Sequence, residues 1–383
     1  MPGYELINNE EYLECKDVLK KSKTFFRMGF GHLRKGIYKV ESFEKKFSKH
    51  INSKYALGVT SGTAALRVAI ASLNLKPGDE IITQAFTFVA TVEAIIEARC
   101  KPICINIDDS LNLDPNELKK NITKNTKAVI VVHMLGVPAK MDEIVKICKN
   151  KKIKIIEDTA WGCGGKYDNK FLGTIGDIGT FSFDHAKAIT TGEGGMVVFK
   201  SKKMFLKAKA WHDHGHENNP KFPRWEDTRK SSGFNFRMNE LQGAIGLAQL
   251  RKLDYIIKSQ RKIYTLIWNS IKKIKGIKKR EYSNKCYISA DALIIIVKSK
   301  KLSLKCRKFL LKYNISTKIL PEAYSWHFAG KWSHINELKK LNLSRKLKKS
   351  EKKLSRAVSI PISIQFTKKQ IFDIRTAIQK ALN

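Results

Sequence analysis

Short runs of β-branched and other apolar residues alternate with stretches of helical periodicity between residues 52 and 199. The short runs predict buried strands, and apolar positions three or four residues apart predict the helices between them. The alternation predicts an α/β fold with a mostly parallel sheet, helices on both faces, and ligands beyond the carboxyl ends of the strands. The predicted elements are, in chain order, Tyr55–Thr60, Ala64–Leu73, Glu80–Thr83, Val89–Ala98, Ala128–His133, Met141–Lys149, Ile153–Asp158, Thr180–Phe183 and Met196–Phe199.

The pattern changes after a long predicted helix at Glu240–Tyr264, which has apolar residues along one face. Beyond about residue 256 the elements are typical of an α+β arrangement. We therefore predict a large α/β domain at residues 1–255 and a small C-terminal α+β domain at residues 256–383. The lysine-rich stretch Leu338–Leu354 is expected to be a helix-like, solvated surface.

The composition is that of a globular protein with an excess of lysine. Of the 383 residues 43% are hydrophobic, and the formal net charge is +38. Most of the 73 basic residues are lysines spread along the chain, whereas base readout and bidentate phosphate recognition favour arginine. Nucleic acid is therefore not an expected partner, and a non-catalytic regulator or nucleic-acid-binding protein stays as an alternative from another class.

Three features favour the cytoplasm. The seven cysteines include no CxxC pair, which indicates a reducing compartment and argues against metal ligation by cysteine. Residues Met1–Leu6 lack the basic and apolar regions of a signal peptide. The longest apolar run, Ala292–Val297, is much shorter than a membrane span, so no membrane association is expected.

The candidate chemistry centres on one lysine in a loop of small and turn-forming residues, Ser182–Gly195. Lys187 lies between two predicted strands, where catalytic groups are commonly presented. About thirty residues upstream, a predicted buried strand ends at Glu157 and Asp158. A lysine that forms a Schiff base and a carboxylate that pairs with a pyridinium nitrogen are the two protein groups that pyridoxal 5′-phosphate (PLP) chemistry requires.

Two further segments are weak signals when taken alone. Ser61–Leu66 follows a predicted strand and opens a predicted helix, where small residues and the helix N-terminus suit an anion, although many helices begin this way. Ala85–Thr91 places aromatic residues at another strand end. A flat aromatic ring there could stack on the cofactor's pyridine, and core packing of Phe86 and Phe88 is the simpler alternative.

These segments together are similar to the DegT/DnrJ/EryC1/StrS family of sugar aminotransferases. The resemblance covers nearly the whole chain and is strongest over residues 30–265. It implies PLP-dependent transferase fold type I, PLP as cofactor, and amino transfer from glutamate to a keto or aldehydo sugar. Five motifs carry it in the family's order and approximate spacing: Ser61–Leu66, Thr87–Thr91, Glu157–Ala160, Ser182–Gly195 and Gly233–Gln242.

The resemblance also implies a role for each matching residue. Lys187 would carry the cofactor and shuttle a proton, and Asp158 would keep the pyridine nitrogen protonated. Phe88 would stack on the ring. The phosphate would be held by Gly62, Thr63 and Ser182. The asparagine matching Asn235 reaches the cofactor of the neighbouring subunit in this family, so a homodimer with shared active sites is expected.

One departure concerns the residue near the cofactor's phenolic oxygen. Most members have glutamine or histidine there, and this chain has Trp161, whose indole offers one donor and more bulk. A dehydratase branch of the family replaces the Schiff-base lysine by histidine, which Lys187 argues against. A PLP-dependent dehydratase or epimerase nevertheless remains a second alternative. His185 is interpreted as a packing or pocket-wall residue.

Finer resemblance favours one branch of the family, which aminates an oxidised eight-carbon acid sugar to 8-amino-3,8-dideoxy-manno-octulosonate for lipopolysaccharide. It rests on Met1–Leu6, Val132–Met134, Ala139–Ile144, the His212–His216 run and the stretch Trp326–His334. For the histidine run, a substrate-facing loop or surface packing is preferred to a metal site, and no metal is expected. Charge alone recommends as contacts for an acidic substrate Arg27, His32, Arg34, Arg229 and Lys318.

Overall fold

The computed structural model describes residues 2–219, 221–322 and 324–383. Strands fall into one large and two small sheets. They are β1 (Tyr55–Val59), β2 (Glu80–Gln84), β3 (Lys101–Ile105), β4 (Thr126–Val132), β5 (Lys154–Asp158), β6 (Lys166–Tyr167), β7 (Lys170–Phe171), β8 (Ile178–Ser182), β9 (Gly195–Phe199), β10 (Ile277–Lys279), β11 (Cys286–Tyr287), β12 (Ala292–Val297) and β13 (Ala357–Pro361).

The large sheet has seven strands in the order β1-β9-β8-β5-β4-β2-β3. Strand β9 runs antiparallel to both of its neighbours, and the other pairs are parallel. Because side chains alternate along a strand, Ile130 and Ile156 face one core while Val129 and Ile155 face another. Both faces are thus buried, as the continuous apolar runs predict.

The helices are bounded as follows: α1 (Pro2–Glu5), α2 (Asn9–Lys16), α3 (Gly31–Arg34), α4 (Lys39–His50), α5 (Gly62–Ser72), α6 (Val89–Glu97), α7 (Pro115–Asn121), α8 (Met141–Asn150), α9 (Lys202–Trp211), α10 (Glu240–Ile271), α11 (Lys300–Lys312), α12 (Asn336–Lys339), α13 (Leu343–Lys346), α14 (Lys348–Leu354) and α15 (Lys368–Leu382). Helices α5 and α6 cover one face of the large sheet and α8 covers the other. Side-chain caps explain several starts: the Ser61 hydroxyl accepts from the Ala64 amide (3.0 Å) at α5, and Asn239 and Gln242 form a capping box at α10.

The C-terminal part of the chain builds a second, smaller core. Strands β10, β12 and β13 form an antiparallel sheet, which packs with α11, α15 and the end of α10. Helix α10 runs unbroken through the predicted boundary at residue 255. The segment 324–354 returns to the large sheet, where the Ala329 amide donates to the Ala85 carbonyl (2.9 Å). The division at residue 255 stays a prediction.

The structure departs from the predicted elements in particular places. Strand β3 and helix α7 were not predicted, and α10 extends to Ile271 rather than ending at Tyr264. The stretch Leu338–Leu354 forms three short helices, α12 to α14. Most of its lysines are exposed, but the expectation of a solvated surface is wrong for four of its leucines, which are buried in the main core: Leu338, Leu343, Leu347 and Leu354. None of the helices described in residues 2–219, 221–322 and 324–383 has both the length and the apolar character to cross a membrane.

Candidate active site

A cavity of about 230 Å³ lies beyond the carboxyl ends of the parallel strands. Seven of the eight residues predicted to bind the cofactor line it: Gly62, Thr63, Phe88, Asp158, Trp161, Ser182 and Lys187. The eighth, Asn235, is exposed and does not line this cavity. The sheet therefore brings together residues more than a hundred positions apart in the sequence.

Lys187 lies in the loop between β8 and β9, and its side chain is almost fully buried. Its amine lies 3.3 Å from the centre of the Trp161 indole ring. Burial is the main cause that lowers the pKa of Lys187 to about 8; the Lys318 ammonium acts in the same direction, and the carboxylates of Asp184, Asp291 and Asp158 oppose it. A lysine with this pKa has a substantial neutral, nucleophilic fraction near neutral pH.

Asp158 ends strand β5, and its carboxylate is held at both oxygens. The Thr91 hydroxyl donates to Oδ2 (3.2 Å), and the Ala160 amide donates to Oδ1 (3.1 Å). Thr91 is itself linked to the Thr87 hydroxyl (2.7 Å). Burial raises the pKa of Asp158, opposed by the Ala160 amide, the Lys187 amine and the Thr91 hydroxyl. A more basic carboxylate, fixed in orientation, suits a partner that carries a proton on nitrogen.

Glu157 has a structural role on the opposite face of the same strand. Its buried carboxylate accepts from the amides of Gly173 (3.0 Å), Ile175 (2.7 Å) and Gly176 (2.6 Å). His133 Nδ1 accepts from the Ala139 amide (3.2 Å), so its Nε2 carries the proton and donates to Glu157 (3.0 Å). Of the two carboxylates at this strand end, only Asp158 faces the cavity.

The N-terminus of helix α5 forms another wall of the cavity. A Cβ added to Gly62 would lie 2.8 Å from Ser182 Cβ, so only glycine permits this close approach between α5 and the end of β8. The hydroxyl-bearing residues Thr63 and Ser182 line the same region. Helix N-termini carry partial positive charge and bind phosphate readily, and α5 has eleven residues.

The amines of two buried lysines, Lys187 and Lys318, lie close to the Trp161 indole ring. The Lys318 amine is 4.4 Å from the centre of the indole ring, and both oxygens of Asp291 hold it (2.7 and 2.8 Å). The Trp161 carbonyl accepts from the Ser289 hydroxyl (3.0 Å). Trp161, at the position where most family members have glutamine or histidine, thus contacts Lys187 through its ring face. Its other neighbour, Lys318, belongs to the C-terminal part of the chain.

Several cavity residues escaped the analysis of the sequence as site residues. The ring of His327 lies 5.3 Å from that of Phe88, which is 40% exposed, whereas Phe86 is fully buried. The core alternative therefore describes Phe86 and fails for Phe88. Asp184 and Glu193 also line the cavity. Asp184 and Glu193 could have been identified from the sequence, since both belong to the lysine loop. For His327 the sequence offered only the family resemblance of its segment, which did not place it in the site.

The remaining candidates lie away from the cavity. His212 is buried, and burial lowers its pKa to about 3, while His216 pairs with Asp227 (3.2 Å). Within residues 2–219, 221–322 and 324–383, no three His, Cys, Asp or Glu side chains are grouped as metal ligands would be. Arg27 and Arg34 are engaged by the buried carboxylates of Glu44 and Glu240. His185 is exposed and stacks on Tyr4 at 4.7 Å.

The fold and the cavity together define a PLP-dependent transferase of fold type I. The mostly parallel sheet with one antiparallel strand, the buried lysine after β8, the carboxylate at the end of β5 and the glycine-permitted approach at α5 all fit this cofactor. The lysine amine, the carboxylate and the helix N-terminus are the kinds of group that PLP chemistry and phosphate binding require.

Comparison with known proteins identifies the family. Residues 21–379 match the DegT/DnrJ/EryC1/StrS aminotransferase family. An uncharacterised protein of Methanocaldococcus jannaschii is 30% identical over 397 residues, which cover 100% of this chain and 97% of that protein. GDP-perosamine synthase of Escherichia coli O157:H7 is 37% identical over 246 residues, covering 64% of this chain and 66% of the synthase.

Among solved structures, 3-amino-5-hydroxybenzoic acid synthase superposes with a TM-score of 0.86 at 23% identity, over 100% of this chain and 98% of that one. The chain belongs to the DegT/DnrJ/EryC1/StrS aminotransferase family. It is accordingly an enzyme, a PLP-dependent sugar aminotransferase, and PLP is its cofactor. Family membership confirms the predicted fold class and cofactor and removes the non-catalytic alternative.

Proposed function

We propose that this enzyme transfers an amino group from glutamate to a keto or aldehydo sugar destined for a surface polysaccharide or lipopolysaccharide. The observation that carries the proposal is the buried Lys187 amine, which shares one cavity with the Asp158 carboxylate. When bound, PLP supplies an electron sink for the carbon that loses or gains the amino group. The roles of the residues around it follow from their contacts.

Asp158 would hold a proton on the pyridine nitrogen. Its carboxylate is oriented by the Thr91 hydroxyl and the Ala160 amide, so no reorganisation is needed when the proton arrives. The Thr87 hydroxyl supports Thr91 in turn. The buried position excludes water, which strengthens the interaction between the carboxylate and a protonated nitrogen.

Lys187 would first bind the cofactor and then move a proton to or from the substrate carbon with its released amine. Both tasks require the neutral amine, and the lowered pKa supplies it near neutral pH. Gly62, Thr63 and Ser182 would hold the phosphate at the α5 N-terminus, and Phe88 would pack against the ring. These assignments are supported by the common cavity of the residues concerned.

The sugar acceptor is supported by family membership and by the relative named GDP-perosamine synthase. The narrower candidate is an oxidised eight-carbon acid sugar, as the segment containing His327 suggests by resemblance. His327 lies beside Phe88 in the cavity, where an acceptor would pass. Lysine rather than histidine at position 187 favours transamination over the dehydratase alternative. The seven unpaired cysteines favour a reducing compartment such as the cytoplasm.

We further propose a homodimer in which Asn235 reaches the partner's cofactor. Asn235 is exposed and lies outside its own cavity. Phe234 (51% exposed) precedes it in the chain, and Phe26, which contacts the nearby Arg237, lies against segments that expose Phe30 (51%) and Trp225 (81%). Phe26 joins the two segments that carry them, because its ring contacts Phe30 and the guanidinium of Arg224. A monomer rarely exposes such a patch, and a subunit interface would bury it.

Mixed dimers test the shared site. Co-expressed Lys187→Ala and Asn235→Ala chains should regain about a quarter of wild-type activity, because half of randomly formed dimers contain one intact site of two. The matched control mixes wild type with the double variant Lys187→Ala/Asn235→Ala, whose mixed dimers have no intact site. Activity in the first mixture that does not exceed that of its separate homodimers would contradict a shared site.

The reaction itself is tested by its two halves. Glutamate added to the PLP-loaded protein should release 2-oxoglutarate and convert the cofactor to its amine form. That form should then return to PLP when oxidised sugars, free or nucleotide-linked, are supplied. Lys187→Ala serves as the control and should do neither. Conversion of a sugar without 2-oxoglutarate release would favour the dehydratase or epimerase alternative.

A further inference from the structure

We propose that the N-terminal segment Pro2–Leu6 is a positioning element that fixes the backbone of Lys187, with Gly3 as its central residue. The inference rests on the proposed function, since it concerns the lysine that carries the cofactor. Gly3 is buried, and its amide donates to the Lys187 carbonyl (3.2 Å). The contact is direct, although the two residues are far apart in the sequence.

Only glycine fits at this contact. A Cβ on Gly3 would lie 2.8 Å from the Lys187 carbonyl oxygen and 3.0 Å from the Thr190 amide nitrogen. Both are backbone atoms, so no flexible side chain can move aside. Any larger residue must shift either the N-terminal segment or the lysine loop.

The neighbouring Tyr4 contacts the lysine loop from a second direction. Its ring stacks on that of His185, with centroids 4.7 Å apart and planes 14° from parallel. His185 is two residues before Lys187, so the segment contacts the loop on the N-terminal side of the lysine as well as at its carbonyl. This packing gives His185 the predicted role of a packing residue, here outside the cavity.

A buried network ties the other end of the loop to the same part of the chain. Gln249 of α10 is fully buried; its Oε1 accepts from the Thr190 amide (3.2 Å), and its Nε2 donates to Glu11 of α2 (2.7 Å). Lys252 donates to both oxygens of Glu11 (2.7 and 2.9 Å) and to the Leu6 carbonyl (2.8 Å). The loop is thus anchored on both sides of Lys187.

The segment is also fixed to the C-terminal part of the chain. The Glu5 carboxylate accepts from the Ile364 amide (3.0 Å), and the Gln365 amide group donates to the Glu5 carbonyl (3.2 Å). Because these hydrogen bonds fix the segment independently of the lysine loop, the segment can determine the position of the loop. A reacting group displaced by about 1 Å loses on the order of a hundredfold in rate, so fixing the base of this long side chain matters for catalysis.

The test compares Gly3→Ala, Tyr4→Ala and Tyr4→Phe with wild type, each carrying any affinity tag at the C-terminus. In cofactor-free protein, pH-dependent acylation of Lys187 followed by mass spectrometry gives the midpoint of its titration. In the PLP-loaded protein, the decay of the visible band on dilution gives the release rate. Gly276→Ala is the control. Gly276 has a φ of +94° and a Cβ added to it would have no atom within 4 Å, so the substitution strains the backbone, and thereby destabilises the fold, away from the site.

We expect Gly3→Ala to raise the midpoint, because a displaced loop admits water to the amine, and to speed PLP release about tenfold. Tyr4→Ala should do so to a smaller extent, and Tyr4→Phe, which keeps the ring, should match wild type. If Gly3→Ala does not fold, the Tyr4 pair decides. The proposal is overturned if the acid dissociation constant of Lys187 and the PLP release rate both stay within twofold of wild type in Tyr4→Ala and, where it folds, in Gly3→Ala. If Lys187→Ala keeps the visible band, the proposed function fails instead.

Discussion

Replacing Lys187 by methionine in the cofactor-free protein probes the buried amine directly. Burial lowers the pKa of Lys187 from 10.5 to about 8. Each unit of pKa shift corresponds to about 1.4 kcal/mol, so the folded protein bears a penalty of roughly 3 kcal/mol at pH 7 for this lysine. The penalty disappears when the unfolded chain also loses the proton, above pH 10.5. The free energy of unfolding of the wild type should therefore rise as the pH increases from about 8 to 10.5.

The variant lacks that dependence. Lys187→Met should be more stable than wild type by roughly 3 kcal/mol at pH 7, and the difference should shrink steadily between pH 8 and 10.5. Urea unfolding at several pH values measures it, with Lys258→Met as the control because Lys258 is exposed. Methionine adds a packing contribution that does not vary with pH, so the slope is the diagnostic quantity. Parallel curves for wild type and variant would refute the buried, weakly basic amine.

Three substitutions test the rest of the site. In the proposed role of Asp158, Asp158→Asn would leave the pyridinium without its charge partner, which costs roughly 2–5 kcal/mol. Single-turnover reaction with glutamate should then slow on the order of a hundredfold or more; a rate within tenfold of wild type would contradict this role. Thr91→Val removes one donor to Asp158 and should slow the same step about tenfold, whereas an unchanged rate would leave the hydroxyl without function. Gly62→Ala forces a Cβ against Ser182 and should weaken PLP binding about tenfold in an equilibrium titration, with circular dichroism unchanged; wild-type affinity would show that the close approach is not needed.

Much of the structure around the large sheet could be predicted because its signals are local. Strands β4 and β5 and helix α8 follow from short apolar runs and helical spacing, and their bounds shift by only a few residues. The cavity could be predicted as well, since strand ends of a parallel sheet converge and the family motifs lie at those ends. No local signal marks Asn235, and its proposed contact with a partner subunit's cofactor rests on the family resemblance.

The remaining features depend on contacts between distant parts of the chain. Nothing local in Lys318 or Asp291 indicates that their ion pair packs on Trp161. His327 reaches the cavity because the segment 324–354 returns to the large sheet, which its lysine-rich sequence conceals. The role of Gly3 is likewise not indicated by its local sequence. Its proposed role is inferred from its contact with the Lys187 carbonyl.

The most direct test of the central claim is to identify the lysine that binds the cofactor. The protein is loaded with PLP, reduced with borohydride and digested, and the modified peptide is sequenced by mass spectrometry. We predict a single stoichiometric modification at Lys187, despite the many other lysines, and its loss in Lys187→Ala together with the visible absorption band. Stoichiometric modification at another lysine, or a band that survives in Lys187→Ala, would contradict the assignment of this cavity as the active site.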